Sequence, residues 1–350
     1  MIIFDAHLHA RRPIDPEFTE SVKTYAALSG AVYMMNFPEP LDLSDTKKAI
    51  KFCIDYVDAI KNTAREVNPG HSPFIMPVLN KTMEPKQLDK FISAAHNLPL
   101  AGFKLFCPGQ STNAGYAPPI DEAPALIDVI AAHKKPIVFH LEDPEELNAS
   151  KKEAAAVKRI LPIYIDRNGR QIDTNISIEH FTTIEAIEEI DRRGIYGTIT
   201  AHHPALAQED IGIADPAKAE TILSASFPYF FCKPIMQTRK NVEAIRQAWL
   251  SGHPRIMLGT DNAPHIRSKK EAATPAAGIF MGDARNAYRT AFGFTSEVDK
   301  LILKYSQTAV DFYKINPKNL CDPALPMEHH LKELVNVRPL IQERFKTNTR

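Results

Sequence analysis

Short apolar runs alternate along the chain with longer stretches of helical period. The runs at 2–6 (IIFDA), 31–36 (AVYMMN), 74–79 (FIMPVL), 101–106 (AGFKLF), 136–141 (PIVFHL), 175–180 (NISIEH), 196–201 (YGTITA) and 255–260 (RIMLGT) have the length and content of buried strands. A further run at 227–232 (FPYFFC) either replaces or follows the seventh. Between the runs, 43–66 places Ile50, Cys53, Tyr56, Val57 and Ile60 at helical spacing behind Ser44 or Asp45 as N-cap. Helices are also expected at 84–96, 121–134, 150–160, 183–193, 217–225 and 240–251, then near 280–291 and 296–314. A strand followed by a helix, repeated about eight times, predicts parallel βαβ units and an α/β fold. At 350 residues the natural closure is a (β/α)8 TIM barrel. It is expected as one domain over 1–350, with 315–350 as an extension packing on it.

In such a barrel, chemistry collects at the C-terminal ends of the strands. Polar, ligand-type residues fall there repeatedly. The first strand runs into His7 and His9, which alternation sends to one side. Others end in Asn36, near Lys104, in His140, in His180 and in Asp261, with His265 just beyond. Alone, His140 or His180 reads equally well as a buried structural histidine, and Asp261 as turn chemistry in "TDN". Together they suit a metal centre. Lys104 lies inside an apolar strand, where an unpaired ammonium is costly. Either it reaches the barrel mouth or its amine is altered. Carboxylation by CO2 would turn it into an anion able to bridge two metal ions, and a buried lysine supplies the neutral amine this needs.

Composition narrows the classes. Lys plus Arg equals Asp plus Glu at 42 each, so no charged surface for nucleic acid or acidic membrane is expected. No apolar run is long enough to span a bilayer. Four scattered cysteines, without CxxC, read as free thiols in a reducing compartment. With a strand at the very start and no leader pattern, a cytoplasmic location is expected.

Six segments, "DAHLHAR" (5–11), "MMN" (34–36), "FKLF" (103–106) with "STN" (111–113), "VFH" (138–140), "IEHFTT" (178–183), and "LGTDNAPH" (258–265) with "KKEAA" (269–273) and "AG" (277–278), make the chain resemble the amidohydrolase superfamily. The likeness is narrower to dihydroorotases of the short N-terminal type. Hydantoinases, allantoinases and longer dihydroorotases carry more chain before His-x-His, part of an added β-sandwich. The resemblance implies two zinc ions, or cobalt or manganese. His7, His9 and Asp261 would hold one and His140 and His180 the other, bridged by carboxylated Lys104 and a hydroxide. Arg11, Asn36 and His265 would grip a substrate carboxylate. Ser111 and Thr112 fall on a mobile loop, and Ala263, Ala277 and Lys233 match positions near the ring. Asp261 would serve as base and then acid. The implied substrate pair is N-carbamoyl-L-aspartate and L-dihydroorotate, in pyrimidine biosynthesis, and family members are often homodimers.

The chain departs from the family pattern in places. Arg12 follows Arg11 where aspartate is usual, "HLE" (140–142) replaces His-Gly-Glu, and Lys233 stands where an apolar residue is frequent. Lys233 either adds a charge to the pocket or contributes only its backbone. His202 and His203 are expected in a supporting role rather than as ligands. Two other readings compete. One is another metal-dependent cyclic-amide hydrolase acting on a carboxylated substrate. The other is a silent homologue partnering a carbamoyltransferase, which should have lost ligands.

Overall fold

The apolar runs do become strands, and in the expected order. The protein is described here by a computed structural model covering residues 2–111, 113–324 and 334–348. Its strands are β1 (Phe4–Leu8), β2 (Gly30–Met35), β3 (Ser72–Pro77), β4 (Phe103–Phe106), β5 (Ile137–His140), β6 (Asp166–Arg167), β7 (Arg170–Gln171), β8 (Ile176–Ile178), β9 (Tyr196–Ile199) and β10 (Ile256–Leu258). β1-β2-β3 form one parallel sheet and β10-β9-β8-β5-β4 another. Parallel bridges Ile75↔Leu100 and Val78↔Lys104 link β3 toward β4, and Leu8↔Asn262 links β1 to the segment after β10. Both edges of each sheet thus meet the other sheet.

The strands carry two apolar faces, as expected when both sides of a parallel sheet are covered. The outer face, including Tyr33, Ile75, Leu105, Phe139, Ile178 and Leu258, packs with the helices in the main core. The inner face gathers Phe4, Ala6, Val32, Met34, Met76, Val138 and Met257 into a separate cluster. That cluster is completed by residues from and just after the helix Ser296–Phe312, including Val310, Phe312 and Tyr313. The Tyr313 hydroxyl donates to the Ala6 carbonyl (3.0 Å). These apolar contacts fill the inner face below the strand ends.

The helix expected at 43–66 is Thr46–Ala64, capped by Asp45, which accepts from the Lys47 and Lys48 amides. The run 227–232 is not a strand. It contains a 3-10 turn, Pro228–Phe230, and Phe230, Phe231 and Cys232 are buried outside any strand ladder. Pro228 and Pro234 remove ladder donors at both ends of this run. Besides the short helices Leu161–Ile165 and Arg267–Lys270 and the helix Arg338–Asn348, two further elements were not expected. One is the helix Phe18–Tyr25. The other is the β6–β7 hairpin, whose turn residues Asn168 and Gly169 both have positive φ. Asn-Gly is the strongest short hairpin signal, so that turn was readable. In the 315–350 segment, Leu334 bridges to Ile266 and the Val337 amide donates to the Phe280 carbonyl (3.0 Å); residues 325–333 lie outside the described set. No helix among the described residues is long and apolar enough to cross a membrane.

Candidate active site

The first half of the site is built where β1 meets the segment after β10. The Asp261 amide donates to the His7 carbonyl (2.8 Å) and the His9 amide to the Asn262 carbonyl (2.9 Å). Buried Asp5 fastens the same seam. One oxygen accepts from the amides of His7 and Thr260 (both 3.0 Å), the other from the Thr260 hydroxyl (2.6 Å). Burial pushes the Asp5 carboxyl up to about 7, against those hydrogen bonds. The backbone fixed in this way brings His7 Nε2 and His9 Nε2 to 3.2 and 3.3 Å from one Asp261 oxygen. Gly259 lets the strands approach: a Cβ there would stand 2.9 Å from Thr198 Cγ2 and 3.3 Å from His7 Cβ.

The second half comes from β4, β5 and β8. His140 Nδ1 lies 3.0 Å from His180 Nε2, while His140 Nε2 meets Glu142 at 2.7 Å. Glu142 thereby orients the ring and leaves Nδ1 to face the site, the usual task of a carboxylate behind a ligating histidine. Burial raises the Glu142 carboxyl to about 8. The His180 amide donates to the Thr198 hydroxyl (2.7 Å). Lys104 is fully buried, forms an ion pair with Glu179 and sits 4.9 Å from the Phe106 ring centre. Burial draws its ammonium down to about 7, with Asp261 acting in the opposite sense. Burial, followed by nearby cations, also holds His7, His140 and His180 well below the ordinary histidine range, in the neutral form that ligates metals.

One cavity collects these side chains. Its lining includes His7, His9, Arg11, Asn36, Lys104, Ser111, His140, His180, Lys233, Asp261, Ala263 and Ala277, all singled out by the sequence, together with Phe106 and Gly278, which were not. His265 stands behind Arg11, whose Nη2 donates to His265 Nε2 (2.9 Å) while its Nε donates to the Pro264 carbonyl (3.1 Å). The same Nε2 lies 3.0 Å from the Ala277 carbonyl, which can only accept, so Arg11 and Ala277 compete for one ring nitrogen. The backbone of Asn36 accepts from the Asn113 side chain (3.2 Å). Arg12 turns away to Asp15 and Glu39, which leaves Arg11 as the pocket arginine. Lys233 reaches the pocket wall, but its ammonium is paired with Glu220 at 2.6 Å. Thr112 lies outside the described residues.

The donor set fits metal ions. His7, His9 and Asp261 form one group of converging ligand atoms and His7, Glu179 and His180 another; within each group all lie within 4.8 Å of one another. Both ring nitrogens of His7 and His180 Nδ1 are buried without a hydrogen-bond partner among the described residues, as are both Glu179 oxygens apart from the ion pair with Lys104. Such groups require an explanation, and cations bound here would satisfy one nitrogen of each imidazole and the carboxylate oxygens facing them.

Glu179, Asp5 and Glu142 were missed by the sequence reading. Glu179 precedes His180, so regular alternation sends it to the opposite face. His180 has φ +40°, which breaks the alternation and lets both side chains approach His7, with Glu179 Oε1 3.6 Å from His7 Nδ1. Arg11 and Asp261 are also left-handed, at φ +70° and +47°. Non-glycine residues held there cost roughly 1–3 kcal/mol each and concentrate at functional sites.

No family model matches the chain. The dihydroorotase of Idiomarina loihiensis is 28% identical over 325 residues, covering 90% of this chain and 86% of that protein. Among solved structures, the dihydroorotase of Saccharomyces cerevisiae in complex with 5-fluoroorotic acid matches with TM-score 0.74 and 20% identity, covering 91% of this chain and 85% of that one. The L-hydantoinase of Arthrobacter aurescens matches with TM-score 0.64 and 15% identity, over 90% of this chain and 71% of that one. Along most of its length the chain is similar in sequence to dihydroorotases, and it shares the fold of solved dihydroorotases and hydantoinases.

Proposed function

We propose that this chain is a metal-dependent dihydroorotase of pyrimidine biosynthesis. It closes N-carbamoyl-L-aspartate to L-dihydroorotate with loss of water and opens the ring in reverse. One observation carries the reading: ligand-type side chains from separate strand ends share one buried cavity with an arginine braced on a histidine. We read the eight long-range parallel strands as one closed (β/α)8 barrel, supported by the bridges at both sheet edges. The single-domain organisation over 1–350, a cytoplasmic location and a homodimer belong to the same reading. Its four cysteines are unpaired.

In this reading His7, His9 and Asp261 would hold one divalent ion, and His140 and His180 the other. Lys104 would be shared between them as its carbamate. Zinc, or cobalt or manganese, would lower the pKa of a bound water and polarise the reacting carbonyl. The chain's own residues do the rest. The neutral Lys104 nitrogen bonds to CO2 and releases a proton to solvent, leaving an anion where an ammonium stood. Arg11, Asn36 and His265 hold the substrate's α-carboxylate, for which a guanidinium fork is suited. Ala263, Ala277 and the Lys233 segment flank the ring, and Ser111 and Thr112 belong to the loop that covers it. During ring opening Asp261 takes the proton of the attacking water and passes it to the leaving ring nitrogen; during closure the proton returns along the same path.

The test is ring opening of L-dihydroorotate by protein loaded with zinc and bicarbonate, beside Lys104→Ala. Turnover by the first and not the second is expected. With the Lys104 amine near 7, bicarbonate reactivation of stripped protein should increase as pH rises through about 7, because the neutral fraction grows. A folded, metal-loaded protein that leaves dihydroorotate intact overturns the reading.

A further inference from the structure

Beside the proposed active site lies a second set of converging donors. His202, His203 and Cys232 are all buried, and their ligand atoms lie within 4.8 Å of one another. The two rings are tilted against each other with centroids 4.3 Å apart. His203 has neither nitrogen hydrogen-bonded, and His202 Nε2 also lacks a partner among the described residues. Three unpartnered imidazole nitrogens in so small a buried volume are unusual in a folded protein. Cys232 donates its S–H to the Pro234 carbonyl (3.1 Å). The nearby Lys270 ammonium is already taken by the carbonyls of Phe231, Ala276 and Gly278, at 3.0, 3.0 and 2.8 Å.

We propose that His202, His203 and Cys232 form a further metal site, which takes one thiophilic ion of the zinc class. Two imidazoles and a thiolate select such ions, whereas the neighbouring pocket offers only nitrogen and oxygen donors. Binding replaces the Cys232 S–H by a sulfur–metal bond, and the released proton goes to solvent. The site ties the loop after β9 to the 232–237 segment. Lys233, next to Cys232, lines the active-site cavity, so the ion would fix one wall of that cavity. The site stands on its own donors and does not depend on the dihydroorotase reading.

The test uses the full chain, stripped by chelator and refilled with Co²⁺ without oxygen. A thiolate-to-cobalt charge-transfer band in the near ultraviolet reports sulfur ligation alone, since the other ligand groups carry no sulfur. We expect the band in the wild type. We expect its loss, with loss of one metal equivalent, in Cys232→Ser and in His203→Asn. A wild type that binds cobalt without the band overturns the proposal, whether or not either variant folds. So does a band and a metal count unchanged in folded Cys232→Ser.

Discussion

The lower and upper parts of the same strands follow different rules. Low on the inner face, alternation is regular and the side chains are apolar: Phe4, Val32, Met34, Val138 and Met257 interlock with Phe312 and Tyr313. At the upper ends the pattern breaks. Ala6 belongs to the inner cluster and Leu8 to the outer core, and the pairing of β1 with β2 slips between Asp5 and Leu8. His180 and Asp261 then turn left-handed. Each irregularity brings a polar side chain into the cavity that a regular strand would have pointed elsewhere. The lower part makes the fold; the upper part gives up regularity to gather donors.

This contrast can be broken at several points. The largest expected effect is at Asp261→Asn, which keeps the shape but removes the carboxylate: kcat should fall by about 10³-fold or more, within the range for a lost acid–base group, with little change in the unfolding midpoint. Met257→Ala tests the lower part. It should lower stability by about 3 kcal/mol in urea titration through the cavity it leaves, while kcat of the folded fraction stays near wild type. Arg11→Met removes a charged hydrogen-bond donor from the cavity wall, where the proposed reading places the substrate carboxylate. A loss of about 2 kcal/mol would raise KM about thirtyfold, more than it lowers kcat. The smallest effect is expected at Glu142→Gln, whose amide oxygen can still accept from His140. Metal affinity, measured by competition with a chelator, should weaken about tenfold. Equal damage to stability and kcat by both Met257→Ala and Asp261→Asn would erase the distinction.

The same contrast explains what was legible in the sequence. Strand positions followed from apolar runs, because burial on both faces leaves a continuous signature. His7, His9, His140, His180 and Asp261 were legible because their chemistry is rare at strand ends. Glu179 was not: counting back from His180 puts it on the far face, but it is His180 that the backbone turn swings in, beside a Glu179 that alternation from Ile178 already points inward. Asp5 was not, because its partners Thr260 and His7 become neighbours only after β10 docks on β1. The run 227–232 misled because apolar content reports burial, and there the chain is buried without a ladder.

The Asp5 fastening spans 255 positions of sequence, from Thr260 back to the first strand. During synthesis His7 and His9 leave the ribosome among the first residues, and their partner Asp261 comes hundreds of positions later. Loop-closure entropy increases only slowly with length, so the final docking is affordable, but it cannot occur early. A chain cut short before β10 can stack several of its βαβ units and still present no complete His7–His9–Asp261 group. In the proposed reading, ion capture would act as a late checkpoint of assembly, reporting that β1 and the segment after β10 have met.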